Sequence, residues 1–555
     1  MHKNLIVATT IFLSTFCVAQ TTYIFSGEGD WNTVSNWENG RIPGTTVLSD
    51  DTVRITGTLT LNAETSIVNQ GKIIVGSETA ALSELLIYGE LQNENSVDIQ
   101  ENGVITIEEN GYLDNNGNVS CLNSVLTNRG RIKNKKVLTI AGTESQLINT
   151  RTIDITDAGS VTSSGRVENS GKIRVERMAT LVSESEFIHS GEFDNEGTLE
   201  AKQGVTITDK GFLFNKNTLR IEDAEVTVNG RFENFGPGTL VELNSSTVTF
   251  TPGSEFSNGI TGKINLSTTT LNMNEDVENE GDIDIDANST LTVRSEKIFT
   301  NRRTVRNHGT LIALEGVFDN ASGSFINNGT LQSAMDGSTF QNKGTITGTD
   351  ATHNGSLVTE RGTLSPGTAK EKATYIINGD VLLSKQARIL IDVFSDSDAD
   401  QVTVSENITL GGILNVKLSN EITDLSKGAT FTVLEGASIR GQFEALRLPE
   451  LPEGKDWEIE YEDSKVVLRV VGNQTLSTTD NELDSDAIRI APNPVKSTFA
   501  IHGLRGTTDV EIYSITGQLV RNKVITNTSS VAIDGLSSGY YVVRVGNQRL
   551  RLIKE

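Results

Sequence analysis

The chain has 555 residues, with 72 Asp and Glu against 47 Lys and Arg and a formal net charge of −25 at pH 7. That balance excludes nucleic acid and anionic membrane surfaces as partners, because both are held by basic footprints. With 51 glycines, 8 prolines and 5% aromatic residues, the composition fits a repetitive all-β chain better than an enzyme with a shaped pocket.

Residues 1–19 read as a secretory signal peptide: Lys3 supplies the basic start, Leu5 to Val18 the apolar run and Ala19 the small residue before a mature start at Gln20. The apolar run is too short to span a bilayer. Ser14-Thr15-Phe16 does not offer Cys17 the small neighbour that lipidation requires, and Cys121 is then the single cysteine of the exported chain, so no internal disulfide is expected. Residues 20–55 follow as an N-terminal cap segment, in which Asp30-Trp31 and Asn36-Trp37-Glu38-Asn39-Gly40 precede Pro43. This phrase resembles the N-terminal cap of many secreted bacterial β-solenoids, and the resemblance implies that Trp31 and Trp37 cover the open end of the first coil. A sugar-stacking Trp platform is the alternative role.

Residues 56–364 carry one recurring phrase: apolar, any residue, Asn, any residue, Gly, any residue, Leu or Ile. Its clearest copies place Asn169 with Gly171, Asn195 with Gly197, Asn279 with Gly281, Asn327 with Gly329 and Asn342 with Gly344. Weaker copies stand at Asn69, Asn115, Asn128, Asn149, Asn215, Asn234, Asn258 and Asn307. From Asn128 to Asn279 the steps are 21, 20, 26, 20, 19, 24 and 21 residues. A period near twenty, with apolar alternation between copies, predicts a parallel β-helix, or β-solenoid, of about 16 coils whose apolar face is buried only by neighbouring coils. The Asn and Gly are expected at corners, through their tolerance of left-handed backbone, with the Asn side chains stacking into a ladder. Long steps, such as Asn169 to Asn195, predict loops extruded from one face, where a binding site would be sought first.

Over residues 365–472 the strands lengthen. Leu364-Ser365-Pro366-Gly367, Asn378-Gly379-Asp380, Leu410-Gly411-Gly412, Phe431-Thr432-Val433-Leu434 and the closing Trp457, Ile459 and Tyr461 follow in an order that resembles the terminal portion of autotransporter passenger solenoids. The resemblance implies a wider C-terminal cap on the same solenoid. In that family a membrane β-barrel comes next, and since no such segment follows here, that export route is not expected.

A polar linker, residues 473–488, leads to a tail of opposite charge: residues 489–555 hold 9 Lys and Arg against 4 Asp and Glu, a net of +5, leaving −30 for the rest. The tail starts Ala491-Pro492-Asn493-Pro494, continues through Thr516-Gly517-Gln518-Leu519 and Leu536-Ser537-Ser538-Gly539-Tyr540-Tyr541, and ends Leu552-Ile553-Lys554-Glu555. In order and spacing it closely resembles the type A C-terminal sorting domain of the type IX secretion system of Bacteroidota. The resemblance implies a small antiparallel β-sandwich, with turns at Thr516-Gly517 and Ser538-Gly539, and the type IX secretion machinery as partner. It implies an extracellular or outer-membrane-surface location, with the domain usually cleaved off after export.

Catalytic patterns are sparse. His189, His308, His353 and His502 are far apart and lack metal-ligand spacing, so no metal or other cofactor is expected. The densest acidic run, Asp392, Asp396, Asp398 and Asp400, is read as a solvated loop, with Ca²⁺ the alternative, because the Gly and distal Glu of an EF-hand loop are missing. Asp154, Asp282 and Asp284 are the carboxylates that a β-helix lyase or hydrolase would have to bring together. Two functions are therefore carried forward. One is a structural or adhesin-like surface protein, meeting extracellular polysaccharide or a host or neighbouring cell surface; the other is a carbohydrate-binding or polysaccharide-degrading β-helix protein.

Overall fold

A computed structural model describes residues 20–472, apart from 78–80, 295, 334–338, 350, 420, 421 and 423, and residues 488–555, apart from 505, 527–529 and 547. The expected signal peptide and nearly all of the expected linker lie outside the described residues. The chain forms two units, one ending at Gly472 and one from Asn473 to Glu555.

The first unit is a parallel β-solenoid with three faces. Each coil contributes one short strand to sheet A, then one to sheet B, then one to sheet C, and every strand pairs with its counterparts in the coils before and after. Thus Lys172–Val175 of sheet C lies in register between Thr152–Ile155 and Glu192–Asn195. Sheet C holds nineteen such strands among the described residues, while sheet A adds a last strand, Ala445–Arg447, for a total of twenty. Sheet B reaches twenty-one because the hairpin Lys455–Tyr461 and Lys465–Gly472 closes it, with the second arm running antiparallel to Thr430–Glu435. Nineteen coils at about 4.8 Å per coil give roughly 90 Å.

Four-residue strands set this geometry. Their usual pattern exposes the first and third side chains and buries the second and fourth, as in Lys172-Ile173-Arg174-Val175. The inward residues stack coil upon coil into one apolar column from Phe25 to Val470. At about 25 cal/mol per Å² of apolar surface removed from water, that stacking is the main stabilising term, and no coil can realise it alone.

Residues 365–472 do not depart from this plan until their end. The parallel register runs on through Arg388–Val393, Ile413–Leu418 and Ala445–Arg447, and only the closing hairpin breaks it. Trp457 and Tyr461 of that hairpin pack on the last coils, with rings 6.1 Å from Phe431 and 6.4 Å from Phe443.

The second unit has a core of its own, including Val495, Phe499, Ile512, Val543 and Leu552. A three-stranded antiparallel sheet (Arg489–Ala491, Thr498–His502, Ser530–Ala532) accompanies a four-stranded one (Thr507–Ser514, Leu519–Thr526, Gly539–Val545, Gln548–Lys554).

Candidate functional site

The corner phrase resolves into hydrogen-bonded ladders inside the solenoid. In each, Asn Nδ2 donates to Asn Oδ1 one coil further on at 2.6–3.0 Å. Asn69, Asn93, Asn115 and Asn134 form one ladder, at the ends of sheet C strands. Asn128, Asn149 and Asn169 form a second at the ends of sheet B strands, which finishes on His189. Eight residues from Asn195 to Asn342 return to the sheet C corner, and Asn307 with Asn327 occupies the sheet A corner. The second amide hydrogen also finds a carbonyl, as Asn115 Nδ2 does on Val137 at 2.9 Å, so these fully buried side chains are largely satisfied.

Two corrections follow. The 26-residue step from Asn169 to Asn195 extrudes no loop: Lys172–Val175, Thr180–Ser183, Phe187–His189 and Glu192–Asn195 are consecutive strands of regular coils. The extra length arises because the ladder passes from the sheet B corner to the sheet C corner. Nor do Asn169, Asn195, Gly171 or Gly197 adopt left-handed backbone. The corner glycines are required by contact instead. A Cβ on Gly171, Gly197, Gly281, Gly329 or Gly344 would sit 2.2–2.3 Å from a carbonyl oxygen of the preceding coil.

Asn93, Asn134, Asn301 and Asn320 belong to the ladders but are not among the copies of the phrase; all four lack the Gly two residues on, as Asn149, Asn215 and Asn258 also do. The shorter signal, apolar-x-Asn, finds all four. His189 is a further ladder member. Its Nδ1 accepts from Asn169 Nδ2 at 3.0 Å, which leaves Nε2 to donate to the Phe212 carbonyl at 3.0 Å. Burial lowers its pKa from 6.5 to about 4, against a smaller upward pull from that carbonyl, so the ring is neutral.

Trp31 and Trp37 are 2% and 3% exposed, with rings 5.2 Å apart, and Trp37 lies 5.1 Å from Phe25. Their indole N–H groups donate to the Gly44 and Trp31 carbonyls. Buried on both faces, neither ring offers a platform to a sugar. Two 3-10 turns, Val34–Asn36 and Glu38–Gly40, carry them across the first coil.

The acidic run at Asp392 to Asp400 divides its carboxylates among separate tasks. Asp400, fully buried, accepts the backbone N–H groups of Ala373 and Asp392 at 2.9 and 3.1 Å. Burial pushes its pKa up to about 7 despite those two donors. Asp398 meets Ser395 and Lys372, and Asp396 accepts the Ser426 N–H. Asp154 pairs with Arg131 on sheet C, whereas Asp282 and Asp284 pair with Arg303, Lys263 and Arg306 on sheet A, so those three do not meet.

In the second unit, Asn493 is a stitch between flanking Pro492 and Pro494: its Oδ1 accepts the Ile553 N–H at 2.8 Å and its Nδ2 donates to the Arg551 carbonyl at 2.7 Å. Gly517 holds φ +80° in the turn closed by its N–H on the Ser514 carbonyl, and the Gln518 N–H donates to Ser514 Oγ. Gly539 opens the strand Gly539–Val545, and the turn before it is instead at Ile533 to Leu536. Tyr540 is 54% exposed beneath the Arg551 guanidinium, 4.5 Å from the ring centre, and Lys554 reaches the Glu555 carbonyl.

Two large open grooves, among several, mark the described solenoid surface. One, of about 780 Å³, lies beside Phe214 and Phe235 at the corner after sheet C. The other, of about 580 Å³, crosses the outer face of sheet C. Its carboxylates are engaged: Glu233 and Glu255 by Arg231, Glu278 by Arg302, and Asp276 by the Ile298 N–H at 2.8 Å. Inside the solenoid, a void of about 30 Å³ between Phe187 and Leu271 is lined wholly by apolar side chains and is a packing gap.

Residues 489–555 match the family described as "Secretion system C-terminal sorting domain". This tail is the sorting domain of the type IX secretion system, and it marks the chain for export. None of the curated proteins compared with the chain matches it. Among solved structures, the chain is similar to one described as "Crystal structure of TibC-catalyzed hyper-glycosylated TibA55-350 fragment". That match has 11% identity and a TM-score of 0.14, and covers 77% of this chain and all of that one.

Proposed function

We propose that this chain is an adhesin-like structural protein, exported through the type IX secretion system and displayed at the cell surface or released from it. The observation that carries the reading is the pairing of an export tail with a long solenoid whose buried polar groups are spent on holding coils together. Its Asn ladders, buried Trp pair and closing hairpin are devices of length and durability. Many of its outward carboxylates are tied to cations of adjacent coils, as Glu200 and Glu242 are to Arg220. Such a surface suits display over turnover.

The test is deletion of residues 489–555 in a host with a working type IX system. The truncated protein is expected to accumulate, folded, in the periplasm, while the full chain reaches the medium or the cell surface. Surface display of the truncated chain at full-length levels would refute the export role. Loss of cell attachment or aggregation in a strain lacking the full chain is the expected sign of the adhesin role, and unchanged attachment counts against it.

A further inference from the structure

We infer that the groove beside Phe214 and Phe235 is a binding site for an acidic polysaccharide, a specificity that goes beyond display. The corner from sheet C to sheet A normally takes few residues: Lys216 and Asn217 suffice between Asn215 and Thr218. After Asn234 it takes five, Phe235-Gly236-Pro237-Gly238-Thr239, before Leu240 resumes sheet A. Gly236 at φ +134° and Gly238 at φ +77° shape this insertion.

The insertion turns an aromatic ring outward. Phe235 is 54% exposed, and its ring lies 6.4 Å from Phe214 at 23°, which in turn lies 5.8 Å from Phe212 at 17°. Gly259 in the next coil seats the ring, since a Cβ there would fall 2.4 Å from it. Met178 and Ile260, on turns of the same corner two coils before Phe214 and one coil after Phe235, are 76% and 58% exposed.

Polar groups rim these apolar side chains. Arg177 borders the groove and, among the described residues, its guanidinium has no ion pair or hydrogen bond. Lys216 stands 2.7 Å from Asp194 and 4.7 Å from the Phe214 ring centre, Glu196 offers a carboxylate, and Asn217 donates to the Glu196 carbonyl at 3.0 Å. Lys216 is neutralised by Asp194 and Glu196, and Glu196 is also paired with Arg174, so the unpaired Arg177 is the charge that the groove offers in a chain of −25. Screening over about 8 Å at physiological salt lets that local charge act on a bound group.

Aromatic faces beside hydrogen-bonding and cationic groups match a chain of pyranose rings with carboxylate or sulfate substituents. C–H faces lie on Phe235, hydroxyls meet Asn217 and the paired Lys216–Glu196 head groups, and the anionic substituent meets Arg177. A second copy of this chain fits less well, because it brings its own excess of negative charge.

The experiment measures binding of the exported chain, residues 20–555, to polygalacturonate, to its fully methyl-esterified form and to chondroitin sulfate. The expected result is saturable binding to at least one acidic polymer, with the esterified chain weaker. Phe235→Ala should weaken binding at least tenfold and Arg177→Gln about fivefold, the latter also erasing the preference for acid over ester. Tyr88→Ala, a control at another exposed aromatic, should leave binding unchanged. Arg177 has no partner to lose, so its substitution tests the site even if Phe235→Ala disturbs the fold. Four results would each overturn the inference: no binding to either acidic polymer, equal binding of acid and ester, wild-type affinity in both variants, or a wild-type dimer that Phe235→Ala dissociates. None of them bears on the export role.

Discussion

At the scale of single residues, the corner Asn and Gly do different work. Asn258 receives from Asn234 and donates to Asn279 in a fully buried interior. Asn258→Ala strands a donor on one side and an acceptor on the other. At about 1–3 kcal/mol per stranded buried group, it should cost roughly 2–4 kcal/mol in urea unfolding. Asn342→Ala, at a ladder end, should cost about half as much. Gly197 is constrained by the Glu176 carbonyl, 2.3 Å from where a Cβ would be, whereas Gly204 has nothing within 4 Å. Gly197→Ala should therefore lower stability by about 1–3 kcal/mol through forced separation of coils. Gly204→Ala should stay within about 0.5 kcal/mol of the wild type; equal effects would refute the contact explanation. The need for Gly could be read from spacing, but its cause could not, because the offending carbonyl belongs to a residue about twenty positions earlier.

At the scale of the strand and the ladder, what was hidden in the sequence was the corner. Strands of sheets A, B and C share one pattern of alternating apolar residues, so Val167-Glu168-Asn169 and Phe193-Asp194-Asn195 look alike although they end different sheets. Coil length and stacking were legible from the period, whereas the change of corner was not, and it passed for a loop. The groove was hidden for the same reason, since Phe214 and Phe235 become neighbours only once the register of coils is known. His189 shows how a ladder can be ended by another residue, and it makes stability depend on acid. Its folded pKa, about 4, lies below its ordinary 6.5, so the unfolded chain takes up the proton first as pH falls. The stability it protects is complete above pH 6.5 and declines between 6.5 and 4. His353, lowered by burial to about 3, acts in the same direction. Asp400, raised to about 7, acts in the opposite one, favouring the fold as pH falls from 7 toward 4. His189→Asn isolates the first contribution. The variant should keep the hydrogen bond to Asn169 and flatten unfolding free energy between pH 6.5 and 4 by up to about 3 kcal/mol, at about 1.4 kcal/mol per unit. An unchanged slope would show that the ring is already protonated in the fold.

At the scale of the whole molecule, the two units answer to different demands. The solenoid is acidic and has no disulfide among the described residues, with Cys121 free and buried, so its endurance outside the cell rests on non-covalent stacking, strand pairing, ladders and ion pairs between coils. The sorting domain encloses a separate core, which is why its removal in the export experiment should leave the solenoid folded. The tail could be read from the order of its motifs, whereas the stitch from Asn493 to Arg551 and Ile553 spans about sixty positions and could not.

The ladders also have mechanical meaning. Every donor in them points toward the C-terminal end, and ladder and strand-pairing bonds alike run along the solenoid axis. A pull on the two ends of the solenoid therefore passes through every coil interface in series, and a terminal coil, held by one neighbour only, is the first to peel away. Each coil that yields frees about 20 residues, or roughly 70 Å of chain. On the proposed adhesin role, a tethered cell in flowing water would be held by a strap that lengthens in steps under tension, absorbs the jolt and winds back coil upon coil when the load eases.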